Sequence, residues 1–139
     1  MKRSITLKNN TAQLKVLAGF IEEMKNDWNL SPKTAIAINL ILDELVTNAI
    51  EHGITEPEID IHISFELADD VITILMKYSG KPFDPTVCKK PDTTGPLLKR
   101  KCGGLGVHIV RTLSNYCCYQ RNGNENILTI RKNLNKECG

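Results

Sequence analysis

Polar and apolar residues alternate over residues 4–8, the pattern of a short strand with one buried face. From Thr11 onward, Leu14, Leu17, Ile21 and Met24 recur every three or four residues. This predicts an amphipathic helix, with Asn10 or Thr11 capping its first turn. Ser31-Pro32 offers an N-cap followed by proline at the first helical position, and a long apolar pattern predicts a second helix that stops at His52-Gly53. Residues 58–67 and 71–77 read as an antiparallel hairpin around Ala68-Asp69-Asp70. Residues 81–104 are rich in proline and glycine and lack periodicity, so we mark them as a candidate lid. Residues 105–113 follow a Gly-Gly start as a helix, and residues 116–121 and 127–134 alternate as strands around Asn122-Gly123-Asn124. The order β-α-α-β-β-loop-α-β-β predicts an α+β fold, a two-layer sandwich with helices on one face of a mixed, mainly antiparallel sheet.

Composition narrows the picture without naming a function. The length of 139 residues predicts one domain over 1–139. With 41% hydrophobic and 24% charged residues the usage is that of an ordinary globule, which excludes fibres and disordered tails. A formal charge of +2 is too small for a protein held mainly by a nucleic-acid backbone, so no direct nucleic-acid partner is expected. The apolar run over residues 35–50 is broken by Asn39, Asp43, Glu44, Thr47 and Asn48, so no membrane span is expected. The basic start lacks an apolar region after it, which predicts a chain that stays in the cytoplasm. Cys88, Cys102, Cys117, Cys118 and Cys138 show no C-x-x-C spacing and read as reduced, structural thiols.

Chemistry concentrates on two segments. In the second helix, Glu44, Asn48 and His52 stand at i, i+4 and i+8 and form one polar stripe on an otherwise buried element. Two readings stay open. The groups satisfy one another and nearby backbone, or Glu44 takes a proton from a nucleophile while the amide oxygen of Asn48 ligates Mg²⁺ beside phosphates. Asp43 and Glu51 lie on other faces and read as solvated charges. The second segment is Gly103-Gly104-Leu105-Gly106 at a helix start, where free backbone N–H groups favour an anion. Glycines there also suit a tight turn without a ligand. Lys99, Arg100 and Lys101 add positive charge or are simply solvated, and His108 reads as a surface or core histidine.

The string E-L-V-T-N-A-I-E-H-G from Glu44 to Gly53, the turn Gly80-Lys81-Pro82-Phe83-Asp84-Pro85 and the Gly103–Gly106 box together resemble the nucleotide-binding boxes of the histidine-kinase-like (Bergerat-fold) ATPases. Within that superfamily the chain is most similar to anti-sigma factor serine-protein kinases. The resemblance implies ATP and Mg²⁺ as cofactors, Glu44 as catalytic base and Asn48 as metal ligand. It also implies His52, Ser79, Gly80, Gly103, Gly104, Leu105, Gly106 and Thr129 in nucleotide binding, Thr129 near the adenine, and residues 81–104 closing as the lid. The implied partners are an anti-anti-sigma factor, phosphorylated on a serine, and a sigma factor. A homodimer is expected through the first strand and helix. The length leaves no room for a sensor kinase's phosphoacceptor helices.

One departure cuts against this. Where the family has an aspartate that accepts a hydrogen bond from the adenine amino group, two residues before Gly80, this chain has Tyr78. Losing a buried acceptor costs about 1 to 3 kcal/mol. A second reading is therefore a kinase-inactive regulatory module that binds nucleotide weakly or not at all.

Overall fold

The computed structural model describes residues 1–87 and 105–134. Its strands are β1 (Lys2–Lys8), β2 (Asp60–Ala68), β3 (Val71–Ser79), β4 (Tyr116–Asn122) and β5 (Glu125–Asn133), and its helices are α1 (Leu14–Asp27), α2 (Pro32–Asn48) and α3 (Leu105–Leu113). The element order is the expected one. The five strands form one sheet in the order β1-β2-β3-β5-β4, antiparallel at each pairing. Among the described residues the expected mixed character is therefore absent. The β2–β3 and β4–β5 pairs are hairpins, the helices between β1 and β2 return the chain antiparallel to β1, and β4 runs in the same direction as β3 with β5 between them.

Local chemistry accounts for most boundaries. The β2–β3 hairpin turns on Asp69 and Asp70, both at positive φ, which short polar side chains tolerate and which matches the twist of a two-residue turn. At the α2 start the Ser31 hydroxyl accepts from the Thr34 backbone N–H at 3.1 Å, with Pro32 just inside the helix. Ser31→Ala is expected to cost about 1 kcal/mol in denaturant unfolding. The first helix is entered differently from expectation. A 3₁₀ turn (Thr11–Gln13) precedes α1, no side chain caps it, and the Gln13 side chain instead accepts from the Lys8 N–H at 3.1 Å.

The second helix also departs from the simple reading. Regular α geometry ends at Asn48, and Ala49–Gly53 widen into a π turn. Such turns are rare and recur at functional positions.

All three helices pack on one side of the sheet. Alternation places Ile61, Ile63 and Phe65 of β2, Ile72, Ile74, Met76 and Tyr78 of β3, and Leu128 and Ile130 of β5 in the interface. Leu17, Ile21 and Met24 of α1 and Ile38, Ile41, Leu42, Leu45 and Val46 of α2 cover them, and Phe20 packs on Phe65. Burial of this apolar set is the main favourable term holding the layers together. α2 is central, with α1 on one flank and α3 on the other. Its C-terminal end thus meets the ends of β3 and β5, where the candidate site lies.

Candidate functional site

The polar stripe of α2 is graded in burial. Glu44 is half-buried, Asn48 is only 3% exposed, and His52 is exposed beyond the change of helical pitch. Burial, with Glu51 and Asp43 adding repulsion, holds the Glu44 carboxyl above its ordinary range. A carboxylate made more basic in this way is suited to accept a proton. Asp43 is also half-buried and raised by burial, so the expectation of a solvated charge is corrected for it, whereas Glu51 is exposed. Among the described residues the Asn48 Nδ2 is buried without a hydrogen-bond partner. A buried amide with an unspent polar atom is costly unless something arrives to use it. His52 leaves the stripe, because the π turn carries it outward to stack on the Phe83 ring at 5.2 Å between centroids.

Beyond Asn48 the chain is tied to the turn after β3. The Gly53 carbonyl accepts from the Lys81 N–H at 3.0 Å, and the Gly80 N–H donates to the Asn124 carbonyl at 3.0 Å. Gly80 is required by this approach, since a Cβ there would collide with the Gly53 carbonyl oxygen and lie 3.0 Å from its carbon.

Tyr78 sits directly beneath, 1% exposed, with its ring against Gly53. Burial pushes its hydroxyl up to about 12, opposed by the hydrogen-bonding Asn126 amide, so it stays protonated at neutral pH. Asn126 anchors a polar cluster missed by sequence reasoning. Its Oδ1 accepts from the Tyr119 hydroxyl at 2.5 Å and from Arg121 at 3.0 Å, and its Nδ2 donates to the Lys81 carbonyl at 2.8 Å. Arg121 also donates to the Gly80 carbonyl at 2.7 Å and the Gly123 carbonyl at 2.9 Å. Asn126 shares the phase of Leu128 and Ile130, but Ile127 puts an apolar residue on the other phase too, so alternation alone did not mark it.

The other expected site residues divide. Gly80 joins the site. Thr129 does not: it pairs with Leu75 and Cys118, on the sheet face opposite the helices, while Asn126, Leu128 and Ile130 point toward them. Ser79 has the same outward phase on β3, one residue past Tyr78, and lines a cleft with Thr55, Glu56 and Lys81. Leu105 and Gly106 open α3 where expected. Gly103 and Gly104, and with them Cys88, Cys102 and the basic run, lie outside the described residues. Of the candidate lid, only residues 81–87 are described, ending in the 3₁₀ turn Pro85–Val87. Between α2 and α3 a cavity of about 370 Å³ is lined by Leu45, Thr86, Val110, Arg111 and Cys117 among others. Arg111 donates to the Thr86 carbonyl across it. Among the described residues no helix is long and apolar enough to cross a membrane.

Comparison with known proteins agrees with the fold. The chain is 24% identical over 108 residues to the serine/threonine-protein kinase BtrW of Bordetella bronchiseptica, covering 77% of this chain and 75% of that one. Its fold is similar to the solved structure of the RsbU and RsbW domains of a Mycobacterium tuberculosis protein, with a TM-score of 0.70 at 15% identity over 96% of this chain and 32% of that one. It is also similar to the blue-light activated histidine kinase EL346 of Erythrobacter litoralis, with a TM-score of 0.58 at 19% identity over 78% of this chain and 33% of that one. The chain thus spans about a third of those two solved chains. The sequence pattern of the histidine kinase-like ATPase domain family matches residues 7–132, and the chain belongs to that family.

Proposed function

We propose that this chain is an anti-sigma regulatory protein of the serine/threonine-kinase type. In this reading it binds ATP with Mg²⁺, transfers the γ-phosphate to a serine of an anti-anti-sigma partner and sequesters a sigma factor in the cytoplasm. The observation that carries the reading is Asn48, a buried amide whose unpartnered Nδ2 can donate to a phosphate oxygen, one helical turn from a half-buried carboxylate of raised basicity. Asn48 fits a hard-metal site and would hold Mg²⁺ through its amide oxygen. The bound ion would neutralise phosphate charge during transfer. Glu44 would take the proton of the attacking serine hydroxyl. Backbone N–H groups at the start of α3 would meet phosphate oxygens. The kinship to BtrW and to an RsbW domain supports the choice of partner class.

Calorimetric titration with ATP and ADP, with and without Mg²⁺, tests this reading. Binding is expected to require Mg²⁺ and to be lost in Asn48→Ala, together with phosphate transfer. Transfer at an undiminished rate in that variant would overturn it. A second reading, a regulatory module that binds its partner without nucleotide, is favoured by Tyr78 in place of an acceptor. It predicts partner binding indifferent to ATP.

A further inference from the structure

The end of the cleft beyond Asn48 is filled, and its polar atoms are spent on one another. The Tyr78 ring is so close to Gly53 that a Cβ there would lie 2.7 Å from Cε2 and 2.9 Å from Cζ. The Asn126 Oδ1 already accepts from Tyr119 and Arg121, its Nδ2 donates to the Lys81 carbonyl, and Arg121 also takes the Gly80 carbonyl. A cavity of about 370 Å³ lies on the α3 side, against Leu45, Val110 and Cys117, and a second of about 290 Å³ lies beside the Gly80-Lys81 turn against Thr55, Glu56 and the outward-phased Ser79, with neither Tyr78 nor Asn126 in its lining. A site discriminates strongly between polar ligands only where its own groups are left unpaired by the wrong one. Here the unspent polar atom belongs to Asn48, at the opposite end of the π turn.

We infer that the Tyr78–Asn126–Tyr119–Arg121 cluster seals the base end of the cleft, so that a nucleoside triphosphate is held through its phosphates with no preference for adenine over guanine. The inference rests on the functional reading given above and deepens it by assigning the specificity-determining residues. Tyr78 fills the space beside Gly53, and Asn126 holds the cluster and the Gly80-Lys81 turn as one unit.

Calorimetry on the full chain with Mg-ATP, Mg-GTP and Mg-tripolyphosphate tests the seal. The three dissociation constants are expected to agree within about threefold, since the phosphates are the shared contact. Tyr78→Asp is expected to tighten ATP alone by about five- to 150-fold, the range for one recovered buried hydrogen bond. Circular dichroism checks its folding, and Tyr78→Ala replaces it if the carboxylate prevents folding. Wild-type binding of ATP tenfold or more tighter than GTP would overturn the seal and leave the kinase reading standing. If none of the three binds the wild type, the kinase reading fails, and the variant alone decides the seal. ATP binding gained there supports it, and none gained overturns it.

Discussion

Glu44→Gln is expected to lower phosphoryl transfer by about 10²- to 10⁴-fold, the usual contribution of a positioned general base, while nucleotide binding stays close to that of the wild type. Glutamine keeps the size and polarity of the side chain and removes only its capacity to take the hydroxyl proton. The same change is expected to stabilise the fold at neutral pH. The folded Glu44 carboxyl lies above its ordinary 4.5 because burial disfavours the ionised form, with Glu51 and Asp43 adding to it. For a raised carboxyl the folded state holds more protons than the unfolded one between the two pKa values. Stability contributed by this group is therefore present in acid and declines as pH rises from the unfolded value through the folded one. Denaturant unfolding of wild type and Glu44→Gln should then give midpoints that converge below about pH 4 and separate toward neutrality, with the variant higher. A slower enzyme that is a more stable protein is the signature of a base kept in an unfavourable environment. Loss of both activity and stability would assign Glu44 a structural role instead.

Gly80→Ala is expected to produce the largest loss of stability among single-methyl additions in the site, about 3 kcal/mol or more, read as a lower denaturant midpoint. The added Cβ meets the Gly53 carbonyl oxygen, which is backbone and is already held by the Lys81 N–H. It has no rotamer into which to retreat. Relief requires the turn after β3 to move away from α2, and that movement also pulls the Gly80 and Lys81 carbonyls from Arg121 and Asn126. The comparison is Gly19→Ala, on α1, where a Cβ meets nothing within 4 Å. There the gain in helix propensity is expected to raise stability by a few tenths to about 1 kcal/mol. Equal midpoints for the two variants would mean that the turn yields freely and is not held against α2.

The sequence by itself determined the elements, their order and the chemistry carried on α2. These depend on periodicity and on residues adjacent in the chain: the 3.6-residue rhythm of Leu17, Ile21 and Met24, the Ser31-Pro32 start, and Glu44 four residues before Asn48. Which face of each strand is functional was decided by tertiary structure. Ile127, Leu128 and Ile130 put apolar residues on both phases of β5, so alternation alone left Thr129 and Asn126 equally placed. Pairing with β3 settled that Asn126 stands opposite Tyr78 on the helix side and Thr129 opposite Leu75 on the other. The π turn, too, arises where α2 ends against the Gly80-Lys81 turn, and it removes His52 from a stripe that regular spacing would have continued. Tyr78 was legible as a departure but not as a filled space. Its ring meets Gly53 on one side and Asn126 on the other, partners 25 and 48 positions away in the chain, and whether a hydroxyl faces solvent, ligand or another side chain depends on what the fold packs against it. Burial of Glu44 has the same origin: its basicity comes from the neighbours that exclude water, and those are set by packing between layers, which local sequence does not encode.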